Sequence, residues 1–61
     1  MVYERIEALC REKGVSIRKL ENSCGLSNGS VAKWKVVSPS AESLYKVAVF
    51  LETTVEELLK E

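Results

Sequence analysis

The side chains whose types and spacing could do chemistry are gathered between Ser27 and Lys35: Ser27, Asn28, Gly29, Ser30, Lys33 and Lys35. One amide, two hydroxyls and two ammonium groups make a set of hydrogen-bond donors and acceptors, with no nucleophile and base among them. Asn28 can donate to and accept from the N6/N7 edge of adenine, although it is shorter than glutamine and needs close approach. Lys33, about one helical turn further on, reaches guanine O6/N7 or a phosphate. Ser27 and Ser30 suit phosphate or a base edge, and Ser27 serves equally well as a helix N-cap. The bland alternative for Asn28 is a solvated helix-start residue, and for each lysine a solvated charge. Gly29 costs up to about 1 kcal/mol in a helix relative to alanine. Close approach of the backbone to a ligand would explain that cost, and so would neutral drift.

Two short helices with a sharp turn must position this cluster. Apolar residues fall at Ile17, Leu20 and Cys24, then at Leu26, Val31 and Trp34, so helical spacing breaks and resumes after Gly25. Gly25 supplies the left-handed conformation that ends a helix, and Ser27 follows as a natural cap. This predicts a helix from Ile17 to about Ser23 capped by Ser16, and another from Asn28 to about Val36. The unit, residues 16–36, is a helix-turn-helix, whose second helix commonly enters the DNA major groove. Arg18, at the start of the first of these helices, and Lys35, toward the end of the second, read as backbone contacts. Trp34 is expected to be a core anchor, since its spacing from Val31 turns it inward.

Composition narrows the alternatives. The 61 residues make one domain near the lower size limit for folding without staples, and 46% hydrophobic content fits a globular chain. No apolar run is long enough for a membrane span, and the first residues do not resemble a signal peptide. A cytoplasmic protein is expected. Cys10 and Cys24 could pair, but without a secretory signal they read better as two reduced core thiols. Two cysteines without histidine do not make a four-ligand zinc site, and the commonest general base is missing. No catalytic residue, metal, cofactor or small-molecule ligand is expected, and the chain is not read as an enzyme.

The formal net charge is zero, but it is unevenly spread. Through Lys35 there are seven basic residues against four acidic, a net +3, and from Val36 onward two against five, a net −3. A basic half carrying the turn and an acidic half without it fit a molecule with one nucleic-acid face.

Three further helices complete the reading. Val2 to Lys13 places Val2, Ile6, Leu9 and Cys10 on one face and ends at Gly14. After the Ser38-Pro39-Ser40 loop, Ser40 caps a fourth helix from Ala41, with Leu44, Val47, Ala48 and Leu51 as its buried stripe. Thr54-Val55-Glu56-Glu57 is a capping box that opens a fifth helix through Leu58 and Leu59. The prediction is an all-α, compact five-helix bundle over residues 1–61. Tyr45 and Val49 lie off the fourth helix's stripe, and Phe50 adds apolar area beside it. Tyr45 and Val49, with Leu58 or Leu59, are therefore expected to form a dimer contact. Isolated exposed apolar residues are also normal.

The order and spacing of YERIEALCREKGVS, CGLSNGSVAKWK, SPSAESL and KVAVFLETTVEELL resemble the phage repressor/Cro-like (Xre-type) helix-turn-helix domains, over nearly the whole chain. The resemblance implies a lambda-repressor-like bundle that binds double-stranded DNA as a homodimer on a palindromic operator. It implies base contacts from Ser27, Asn28, Gly29, Ser30 and Lys33, with Ile17 and Arg18 near the DNA backbone and the loop 35–40, Ser38 included, on phosphates. Three positions depart from the pattern. Ile17 replaces a polar residue. Glu21 stands where a small residue packs, and must swing outward or pair with Lys33 or Arg18. Glu52-Thr53-Thr54 replaces a glycine-aliphatic-serine link, which either strains the turn or needs no positive φ. The alternative function is a protein-interaction module of the same shape, regulatory or antitoxin-like, with little DNA affinity.

Overall fold

The computed structural model describes residues 2–60, so Met1 and Glu61, the ends of the expected domain, lie outside the described residues. Five helices follow one another: α1 (Val2–Lys13), α2 (Ile17–Ser23), α3 (Ser30–Lys33), α4 (Ala41–Phe50) and α5 (Val55–Leu59). No strand occurs among the described residues. α2 packs on α1, α3 and α4, while α5 closes the other side against α1 and α4. The result measures 24 × 23 × 17 Å.

Local chemistry explains most of the boundaries. Ser16, Ser40 and Thr54 have extended backbones, and their side-chain oxygens accept from Lys19 N, Ser43 N and Glu57 N. Each satisfies one of the amide groups that a helix start leaves without a partner. Val15 N donates to Cys10 O and Leu26 N to Glu21 O, at 2.9 and 2.8 Å. These bonds close α1 and α2 in the tight motif that needs a left-handed residue, and Gly25 supplies it for α2 with φ 72°.

The core follows the sequence pattern closely. Ile6, Cys10, Leu20, Cys24, Val31, Trp34, Leu44, Val47, Ala48, Leu51 and Leu58 form one buried cluster, and Val2, Leu9, Ile17, Leu26 and Phe50 pack around it. Both cysteines are free and buried. Burial pushes both thiols up, which disfavours the reactive thiolate.

The third helix departs from its expected bounds. It begins at Ser30, not Asn28, and Ser27 does not cap it. Ser30 N donates to Ser27 O at 3.1 Å, and Gly29, at φ 86° and ψ −1°, has the backbone of the third residue of a type II turn. A left-handed residue cannot continue into a right-handed helix, so the helix starts after it. The far end stops at Lys33 instead of Val36. Lys35 N and Val36 N donate to Ala32 O and Lys33 O, three residues back, as the chain tightens toward two β-branched valines and Pro39.

The link from α4 to α5 resolves the question posed by Glu52. Thr53 N donates to Ala48 O at 2.8 Å, the same closure as after α2, and Glu52 occupies the left-handed position with φ 58°. The turn needs positive φ, and a residue with a Cβ is held there. That conformation costs roughly 1–2 kcal/mol for an ordinary residue. Glu52 also meets Lys13 at 3.4 Å, but 82% of its side chain is exposed, where such pairs contribute only about 0–1 kcal/mol. Glu52→Gly should therefore raise stability by about 0.5–1 kcal/mol and the thermal midpoint by several degrees. A lower midpoint in calorimetry would show that the Lys13 pair outweighs the backbone cost.

α5 is tied to α1 by Arg5, whose Nε donates to Glu57 O at 3.1 Å and whose Nη2 meets Glu57 Oε1 at 3.4 Å. The Lys60 hydrogen bond and charge, with Arg5 adding to them, hold the Glu57 carboxyl below the usual carboxylate range. A depressed folded value means that this stabilisation is full above the unfolded carboxylate range and is lost as pH falls through the folded value. Denaturant titrations of wild type and Glu57→Gln should differ at neutral pH and converge in acid. A gap that persists in acid would assign the effect to packing.

Candidate functional site

The decisive residue of the α2–α3 region is one that the sequence misplaces. Glu21 neither swings outward nor pairs with Lys33 or Arg18. It is 4% exposed, and its carboxylate accepts from Gly29 N at 3.2 Å and from Val31 N at 3.0 Å. No side chain at the start of α3 caps it. Glu21, reaching across from the preceding helix, takes that place and holds the turn at the same time. Charge-assisted bonds to backbone amides are roughly twice as strong as neutral ones, which offsets the cost of burying a carboxylate. The sequence held a signal for this: position 21 is four residues after Ile17 and three before Cys24, on the inward face of α2.

Around this clamp, Ser27, Asn28, Gly29 and Ser30 lie in one turn. The first three are exposed and Ser30 is half-buried. Lys33, at the end of α3, and Arg18, near the start of α2, are exposed as well. Lys35 is set apart from them, its Nζ resting 4.8 Å from the centroid of the Tyr3 ring. That contact directs Lys35 toward α1 and was not foreseen. Ser38 lies beyond, with Val2, Trp34, Val36, Val37 and Pro39, on a hollow of about 80 Å³. Val36, expected at the end of a helix, is 86% exposed.

Charge pairing separates this region from the rest. Arg5 pairs with Glu57, Arg11 with Glu7, Lys13 with Glu52 and Lys60 with Glu57. Among the described residues Arg18, Lys19, Lys33, Lys35 and Lys46 have no carboxylate within ion-pair distance, and four of these five lie between Ser16 and Lys35. That segment contains four cations and one carboxylate, Glu21, which faces inward onto backbone amides. The segment's net +3 therefore faces solvent with no acidic side chain of its own beside it.

The fourth helix offers a different surface. Tyr45 and Val49 are 64% and 59% exposed and flank an open groove of about 440 Å³ completed by Ser23, Cys24, Lys46 and Phe50. Leu59 is also exposed, but Leu58 is 0% exposed and belongs to the core. Leu58 is therefore withdrawn from the expected dimer contact, because the first turn of α5 rotates it between α1 and α4. Cys24 lines the groove without opening its thiol to chemistry, since its Sγ donates to Lys46 O at 3.6 Å. Comparison with protein-family models, curated proteins and solved structures finds no match to this chain.

Removing the clamp leaves two amide groups without their acceptor, one of them fully buried. Glu21→Ala should cost about 2–4 kcal/mol, a large share of what a chain of this size holds. Glu21→Gln should cost less, because its amide oxygen still accepts one bond. Equal midpoints for wild type and Glu21→Ala in urea would show that solvent satisfies both amides.

Proposed function

We propose that this chain is a sequence-specific binder of double-stranded DNA, a transcriptional regulator of the repressor/Cro-like kind. In this reading α2, the turn and α3 form a helix-turn-helix within a lambda-repressor-like bundle. The turn and the start of α3 enter the major groove. The observation that carries the reading is the placement of unpaired charge. The cations of α1 and the end of α5 are matched by carboxylates, whereas Arg18 and Lys19 on α2 and Lys33 on α3 face solvent unpaired, with Ser27, Asn28 and Gly29 exposed in the turn between these helices. Such a surface suits a polyanion whose groove edges carry hydrogen-bonding groups.

Asn28 reads a base edge from the turn and Lys33 from the end of α3, while Arg18 and Ser38 contact phosphates. Lys35 acts from the side, with its ammonium shared with the Tyr3 ring. Operator symmetry requires a second copy, and the exposed Tyr45 and Val49, with Leu59, are the proposed contact. The same apolar surface favours a second reading, a protein-interaction module in which the groove on α4 receives a partner.

Selection of bound sequences from a random duplex pool at low salt distinguishes the two. The DNA reading expects an enriched palindrome with half-sites roughly 34 Å apart. Asn28→Ala should then cost about 1–3 kcal/mol and relax one position of the sequence. Arg18→Ala should weaken all sequences alike and lower the salt slope by about one. Folded protein that enriches nothing would favour the protein partner.

A further inference from the structure

The two central residues of the turn carry a reactivity of their own. Asn28 is exposed and is followed by a glycine, and the space a Cβ would occupy on Gly29 is open, with nothing within 4 Å. No side chain of its own therefore shields the Gly29 nitrogen. In such a pair the backbone nitrogen is positioned in sequence to attack the asparagine side-chain carbonyl. Once solvent base takes its proton, the Gly29 nitrogen bonds to Asn28 Cγ and closes a five-membered succinimide. The Cγ–Nδ2 bond breaks and ammonia leaves. Water then opens the ring at either carbonyl, giving aspartate or isoaspartate at position 28. One water is consumed and one ammonia released, with no oxidant or reductant.

The fold opposes the first step. The Gly29 N–H that must be lost is donated to Glu21 Oε1 at 3.2 Å, and Ser30 N is bonded to Ser27 O at 3.1 Å across the same turn. Ring closure has to swing the Gly29 nitrogen toward Cγ, breaking the first bond and distorting the second. A carboxylate beside the nitrogen also raises the cost of the amide anion that attacks. We propose that Asn28–Gly29 is a self-modification site, converted to aspartate or isoaspartate at a rate restrained by the Glu21 carboxylate.

The consequence for function rests on the DNA reading. Conversion adds a carboxylate to the net +3 segment, removes the Asn28 amide donor and, as isoaspartate, inserts a methylene into the turn backbone. The DNA-binding form would thus have a finite chemical lifetime, set by how firmly α2 holds the start of α3. Asn22, the other asparagine of the chain, is an internal reference. It is exposed too, but it is followed by serine and lies within α2, where the helix ladder fixes the next nitrogen.

The test is peptide mass mapping of protein aged in mildly alkaline buffer, with an isoaspartate-specific assay alongside. Wild type is compared with Glu21→Ala, which removes both acceptors, and with Val47→Ala, a core variant destabilised away from the turn, at a temperature where circular dichroism shows both folded. The site should convert at Asn28 with Asn22 intact, and several-fold faster in Glu21→Ala than in Val47→Ala. Should Glu21→Ala not fold, wild type in urea replaces it and should convert several-fold faster than folded wild type. Conversion of Asn22 as fast as Asn28 would overturn the site. Equal Asn28 rates with and without the clamp would overturn the role of Glu21. These are mass measurements, so a chain that converts at Asn28 yet enriches no duplex sinks the DNA reading and leaves the modification site standing.

Discussion

The pair of hydrogen bonds from Gly29 and Val31 to the Glu21 carboxylate is the constraint on which the α2–α3 region depends. A helix of four residues has no stability of its own, because nucleation fixes several residues before the ladder returns anything. α3 persists because two contacts hold it from outside. Val31 and Trp34 anchor its inner face in the core, and Glu21 supplies acceptors at its start. The clamp also fixes the turn, since the Gly29 amide it holds belongs to a left-handed residue. Position and direction of the exposed polar groups are thus set by a side chain that is itself nearly invisible to solvent.

The same side chain shapes the electrostatics. A glutamate on the outer face of α2 would place a negative charge among Arg18, Lys19 and Lys33. Turned inward, its charge is spread over two backbone amides, and the surface keeps its cations. On α1 and at the end of α5 the opposite arrangement holds: Arg5, Arg11, Lys13 and Lys60 are each met by a glutamate. Exposed pairs of this kind add little stability. Their effect is to make α1 and α5 electrically quiet, so that a chain with zero net charge still has one side suited to an anionic partner.

Much of the fold was legible because local rules and burial agree. The bounds of α1 and α2, the starts of α4 and α5, and the caps Ser16, Ser40 and Thr54 follow from apolar period and cap chemistry, and so does the buried stripe of α4. The misses lie where a long-range contact decides. Ser27 looks like a cap, but the acceptor that α3 uses is six residues earlier in the chain, and the helix starts at Ser30, two residues later than Ser27 suggests. Leu58 and Leu59 are adjacent and chemically alike, and only the rotation of α5 against α1 and α4 sends one inward. Lys35 reads as a free cation until Tyr3 is found beneath it. Ser27 to Ser30 share the turn while Lys35 and Ser38 lie apart from it, and the least legible part was the carboxylate that holds the turn.

Glu52 and Gly29 show how differently the chain treats the same backbone demand. Both occupy left-handed positions beside a helix end, yet one is glycine and the other bears a side chain in a region that disfavours it. At Glu52 the cost is confined to a link between α4 and α5, where the core on both sides over-determines the path. At Gly29 the turn is exposed, and a Cβ there would meet nothing within 4 Å, so no packing holds a side chain in the left-handed conformation. Glycine relieves the strain there but exposes the nitrogen after Asn28. In the proposed DNA-binding reading, the turn that presents the Asn28 amide is therefore also the one least protected against loss of that amide, and the buried Glu21 carboxylate opposes that loss by holding the Gly29 hydrogen.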